Sequence, residues 1–151
     1  MPMQVVSTGL RTSQSAALAL PATAAGTIFT VTGHIWVQAI YLIVTTVIQA
    51  QATTVKWSAK VGALTAVDVS NATADLNAAA VGQIFMPVTT FGTTAINNAN
   101  GVLIAVPITA PPIAFIMAGS GIITITTGAT STGAAQHQIL WAPMSPGATV
   151  V

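Results

Sequence analysis

From residue 26 onward, apolar and polar positions alternate with a period of two far more often than with the period of a helix. Thr27, Phe29 and Val31 alternate with Ile28, Thr30 and Thr32, a short strand closed by Gly33. Thr53, Val55, Trp57 and Ala59 oppose Thr54, Lys56, Ser58 and Lys60, which gives one apolar face and one wet face. That is the signature of a half-buried strand. Between these two lies HIWVQAIYLIVTTVIQAQ, residues 34–51, a run without one full charge.

Two elements compete for that run. A membrane-spanning helix needs about 20 mainly apolar residues and basic or aromatic flanks. This run is shorter and is interrupted by Gln38, Thr45, Thr46 and Gln49. The nearest basic residues, Lys56 and Lys60, belong to the alternating strand that follows. It is also dense in Ile, Val and Thr, which favour the pleated strand over the helix. The run is therefore expected to be a strand. Its continuous apolar character predicts burial on both faces, by the core on one side and by a sister subunit on the other.

The same reading carries along the rest of the chain. VDVSNATADLNAAAVG holds the one helix signal, from Ser70 or Asn71 to Ala80. Asn71 or Thr73 would cap it, Asp75 would sit in the first turn, and Gly82 would stop it; the alternative is a long loop. Residues 83–90 return to strand, with Pro87 marking an edge or a bulge. Asn100-Gly101 predicts a tight turn, the prolines between 107 and 112 a linker, and IAFIMAG followed by IITITTGAT a hairpin. QHQILWAPM reads as the last strand. Short strands separated by turn signals predict an all-β fold, an antiparallel β-sandwich or jelly-roll-like barrel with at most one short helix. Residues 26–144 form its single domain, flanked by extended arms at 1–25 and 145–151.

Composition sharpens this picture. Only 3% of the residues are charged, where about 25% is usual. They are Arg11, Lys56, Lys60, Asp68 and Asp75, for a net charge of +1. A surface so poor in charge favours association over colloidal stability, so the chain is expected to pack against copies of itself. Three basic residues cannot neutralise a useful run of phosphates, which argues against nucleic acid as a partner. The absence of cysteine excludes disulfides and thiolate metal sites. The apolar stretch after Arg11 is too short for the core of a signal peptide.

Candidate chemistry is sparse. His34 and His137 lie far apart and fit no metal-ligand spacing. Asp68 and Asp75 form the one possible carboxylate pair, and helix capping accounts for Asp75 more simply. No nucleophile-elbow motif occurs, and Gly119–Gly121 is a hairpin turn rather than a phosphate loop, with no lysine beside it. No catalytic, cofactor-binding or metal residue is therefore assigned. Trp36, Trp57 and Trp141 read as core or interface anchors rather than a sugar platform. Trp36, Tyr41, Ile43, Trp57 and Trp141 are the candidate interface residues.

Two stretches carry a resemblance. VIQAQATTVKWSAKVG leading to TADLNAAAVGQIFMP, and GIITITTGATSTGAAQHQILWAPMSPGATVV at the end, resemble small β-rich virion proteins of tailed bacteriophages. The second has a strand, a turn written STG, a strand ending in aromatic-x-Pro, and a small-residue tail. The resemblance covers the last two-thirds of the chain and carries over no functional residue. It implies a capsid decoration (cement) protein, a homotrimer that binds the major capsid protein on the virion exterior after assembly in the host cytoplasm, with no cofactor and no membrane. Its arms would clasp neighbouring subunits or the shell. A tail or fibre component, a self-assembling filament or surface-layer subunit, and an integral membrane protein are the alternatives. The chain departs from soluble members of that class in its very low charge.

Overall fold

The computed structural model describes residues 9–20, 25–49, 52–70, 72–73, 75–86, 96–98, 114–129 and 131–151. Among these the chain forms strands and no helix. In chain order they are β1 (Arg11–Gln14), β2 (Leu18–Ala19), β3 (Gly26–Thr32), β4 (His34–Gln49), β5 (Val55–Val61) and β6 (Val67–Asp68). Then follow β7 (Ile84–Met86), β8 (Ile96–Asn98), β9 (Phe115–Ala118), β10 (Gly121–Thr127), β11 (Thr132–Pro143) and β12 (Thr149–Val150). One sheet runs β1-β11-β4-β7-β8, with β2 also on β11 and β9 also on β4; the other runs β12-β3-β10-β5-β6. Every pairing is antiparallel. The protein is an all-β antiparallel sandwich, and among the described residues the sheets do not close into a barrel.

The long strand β4 explains the ambiguous run. Ile35 and Val37, then Ile40, Leu42 and Val44, then Ile48 all point into the core and are at most 1% exposed. The inward set changes parity once, between Val37 and Ile40, where the β4–β11 register shifts opposite Leu140/Trp141; two further shifts on either side of Ala134 cancel, so Ile48 keeps the parity of Val44. Such β-bulges insert a residue and flip the parity. Trp36, Tyr41 and Ile43 hold the outward positions, so with apolar side chains on both faces the strand reads as continuously apolar. Among the described residues no helix is long and apolar enough to cross a membrane. Burying each large inward side chain contributes roughly 1.5–3 kcal/mol. Opposite them Phe29, Trp57, Ile123 and Ile125 fill the other half of the core.

The helix expected over residues 70–80 does not form among the described residues. Its capping residues do other work. The Thr53, Val55 and Trp57 N–H groups donate to Asp75 Oδ1 (2.7 Å), Thr73 Oγ1 (2.9 Å) and Ser70 Oγ (3.0 Å). The carbonyls of the same three residues accept from the N–H groups of Leu76, Thr73 and Val69. Short hydroxyl and carboxylate side chains that can bond backbone compete directly with helix formation. Here they satisfy a sheet edge that would otherwise be open. The chain then crosses to the other sheet, where Ala79 O accepts from Ile48 N and Gln83 O from Val44 N. This segment stitches one side of the sandwich.

The opposite side is stitched by the chain's two ends. Residues 11–14 and 18–19, within the segment expected as an N-terminal arm, pair with β11, and 149–150 pairs with β3. Ser13 Oγ donates to Val150 O (2.8 Å) and accepts from Trp141 Nε1 (3.2 Å), joining one sheet edge to the other. The expected turn at 100–101, the 107–112 linker and the Asn71 cap lie outside the described residues.

Candidate interaction surface

Four exposed apolar residues converge on the outward face of the β9-β4-β11-β1 sheet, whereas Leu64, Val67 and Val81 are exposed singly elsewhere. Ile116 on β9, Trp36 on β4 and Ala142 on β11 stand side by side in one cross-strand row. Gln38, the residue left over where the β4–β11 register shifts, faces out beside Trp36. Leu10, just before β1, and Met144, just after β11, close the ends of a groove of about 530 Å³ lined by these side chains. Leu10, Trp36, Ile116 and Met144 are between 42% and 60% exposed. Exposed apolar residues scattered singly are ordinary on a protein surface. Four converging on one groove are not.

Further along the same face the polar groups are already paired with one another. Tyr41 OH donates to Gln138 Oε1, and Gln138 Nε2 donates to Gln14 Oε1 (3.3 Å), a chain of bonds across β4, β11 and β1. Burial raises the Tyr41 pKa, so the hydroxyl keeps its proton and remains a donor. Gln136 Nε2 donates to Ser15 O (2.9 Å). Half-buried Ile43 and Ile84, a cross-strand pair, extend the apolar surface beyond this row.

The full charges lie elsewhere. Lys56 Nζ and Asp68 Oδ2 form an ion pair at 2.8 Å on the other sheet, and Ser58 Oγ donates to Asp68 Oδ1 (2.8 Å). The Lys56 and Ser58 hydrogen bonds hold the Asp68 carboxyl below its usual range. Lys60 also lies on β5, and Asp75 accepts from the Thr53 and Asn77 N–H groups in the connecting segment. Arg11 lies 5.4 Å from the centre of the Trp141 ring.

The structure divides the candidate interface residues. Trp36 is exposed and Tyr41 and Ile43 are half-buried on the outward face, whereas Trp57 and Trp141 belong to the core, at 0% and 3% exposure. Both buried positions have the apolar parity of their strands, Trp57 with Val55 and Trp141 with Ile139. Leu10, Gln38, Ile116 and Met144 were missed. The signal for Ile116 was parity: it faces away from buried Met117. Compared with protein-family models, curated proteins and solved structures, the chain matches none.

The residues considered for chemistry are kept apart. His34 starts β4 and is exposed, whereas His137 lies opposite Leu42 with its ring in the core. Eight strand residues separate those two levels, roughly 26 Å of extended chain. Asp68 and Asp75 are each held by the hydrogen bonds described above. Among the described residues no cluster of His, Asp or Glu could hold a metal ion.

Proposed function

We propose that the protein is a non-enzymatic virion structural protein of a tailed bacteriophage, a capsid decoration protein that binds the outer head shell as a symmetric oligomer. The observation that carries this reading is the charge-free outward face of the β9-β4-β11-β1 sheet, with Trp36 and Ile116 at its centre. The scarcity of charge over the whole chain supports it, as does the resemblance of residues 47–62, 73–87 and 121–151 to small virion proteins. Its action is mechanical. Apolar surface removed from water contributes about 25 cal/mol per Å². Made between sister subunits and repeated over many copies on the shell, such contacts stiffen it against internal pressure.

The test is to mix the purified protein with undecorated heads of the virus that encodes it and to image the product by electron microscopy. Regular, saturable density on the shell is expected, together with a higher temperature of head rupture. Rods or rings formed without shells would overturn decoration in favour of a tail or filament component.

A further inference from the structure

We infer that the outward face of the β9-β4-β11-β1 sheet is covered by the same face of a second copy, in a two-fold pair centred near Trp36. The inference deepens the proposed structural role and rests on it by naming the partner of this face.

Charge decides against most other occupants. A charged partner would bring groups that this face cannot pair, and burying an unpaired charge is costly. A second copy brings none, because Lys56, Lys60 and Asp68 lie on the other sheet, Asp75 in the connecting segment, and Arg11, although on β1, shares the inward parity of its cross-strand partner Trp141. Hydrogen bonding points the same way. On this face Tyr41, Gln138 and Gln14 bond to one another and Gln136 bonds to Ser15, which leaves Gln38, beside Trp36, to meet its own copy across the pair. Drying a surface is expensive when donors and acceptors lose water without gaining partners. Here those partners are supplied from within the chain, so an identical, uncharged face can close over the row.

The area is sufficient. The 16-residue β4 and 12-residue β11, with the four-residue β1 and β9 beside them, cover roughly 600 Å² in projection for each copy at about 3.3 Å per residue and 4.8 Å per strand. Two such faces bury about 1,200 Å² or more, which reaches the range of stable protein interfaces. A face that meets its own image makes a closed two-fold contact, so the first unit of assembly is a pair rather than the trimer that the resemblance implies. The groove between Leu10 and Met144 then receives side chains of the partner beside Trp36.

Light scattering on the purified full chain tests this. The wild type is expected at twice the 15.2 kDa of the chain. Trp36→Glu and, separately, Ile116→Lys place like charges across the contact and should weaken pairing more than about 100-fold. Both substitutions are at exposed positions, so circular dichroism should remain that of the folded β protein. Leu64→Glu, at an exposed turn beyond β5, should leave the pair intact. The chain has no cysteine, so single-cysteine variants Gln38→Cys, Leu140→Cys and Ala142→Cys report self-contact directly. At least one should oxidise to a disulfide-linked dimer, and Leu64→Cys should not.

A monomeric wild type, or pairing untouched by both charge substitutions, overturns the inference. Shell attachment by a monomer would sink the inference and leave the decoration role standing. Pairing without shell attachment would do the reverse.

Discussion

His137 sits midway along β11 with its ring fully buried, and neither ring nitrogen meets a hydrogen-bond partner among the described residues. Its backbone is well served, since the N–H donates to Ser15 Oγ and the carbonyl accepts from Ser15 N. The strand is thus held in place while the imidazole is held in an apolar layer beside Ile139 and Leu42. Burial there lowers the His137 pKa from 6.5 to about 4, because charging the ring would require burying an unpaired cation. The unfolded chain binds that proton more readily than the native one. Stability is therefore full above about pH 6.5 and falls as the pH drops towards 4. At about 1.4 kcal/mol for each pH unit between the two values, the loss reaches about 3 kcal/mol. Urea unfolding at pH 7.0 and pH 4.5 should show it. His137→Leu should flatten the profile and raise stability at neutral pH by about 1–3 kcal/mol, since two unpartnered polar atoms leave the core. Any slope left at lower pH would belong to Asp68, whose stabilising pair with Lys56 is lost only as its depressed pKa is passed. A wild-type midpoint that does not move between these two pH values would rule out the buried neutral imidazole.

At the scale of the element, the segment from Val69 to Leu76 behaves as a strand written in side chains. Its hydroxyls and carboxylate accept from every second N–H of residues 53–57, and its own N–H groups donate to the matching carbonyls. Thr73 is the strongest test because it is buried and bonds Val55 twice, through its side chain and through its backbone. Thr73→Val keeps the shape and leaves the buried Val55 N–H without an acceptor, so a loss of about 1–3 kcal/mol is expected. Asp75→Asn, at an exposed residue that keeps an oxygen acceptor, should cost less than Thr73→Val. Equal losses would mean that the segment acts by packing alone. This segment is also where the sequence misled. Asn, Asp, Ser and Thr ahead of an alanine run signal a helix start, and the same side chains can bond a neighbouring strand edge. Which use prevails depends on β5 being there, and that is tertiary information. The strands themselves were legible because parity is local. Parity also puts Trp57 on the apolar face of its strand, yet the sequence reading groups it with Trp36 as an interface residue, and the groove draws on Leu10, Ile116 and Met144 from distant segments that parity cannot bring together.

In the molecule as a whole, the two sheets share a core and are tied along both sides. On one side the tie is the continuous chain from Val69 to Gln83. On the other it depends on residues near the opposite ends of the sequence, Ser13 and Val150, 137 positions apart. Contacts of such separation close long loops, and sandwiches rich in them fold in milliseconds to seconds rather than microseconds. The β3–β10 and β5–β10 pairs share one central strand but join segments far apart in the chain, and the Ser13 bridge needs both sheets already in place. Ser13→Ala removes the donor to Val150 O and the acceptor of Trp141 Nε1 together, a loss of about 1–2 kcal/mol. If the bridge forms after the rate-limiting step, the whole loss falls on unfolding. Unfolding should then be about 5- to 30-fold faster with refolding unchanged, RT being about 0.6 kcal/mol. Stopped-flow refolding and unfolding in urea, at one fixed protein concentration so that pairing of copies adds no shift of its own, separates the two arms. A matching slowdown in refolding would instead place the joining of the chain's ends inside the folding nucleus, and the sandwich would then be assembled from its outer edge inward.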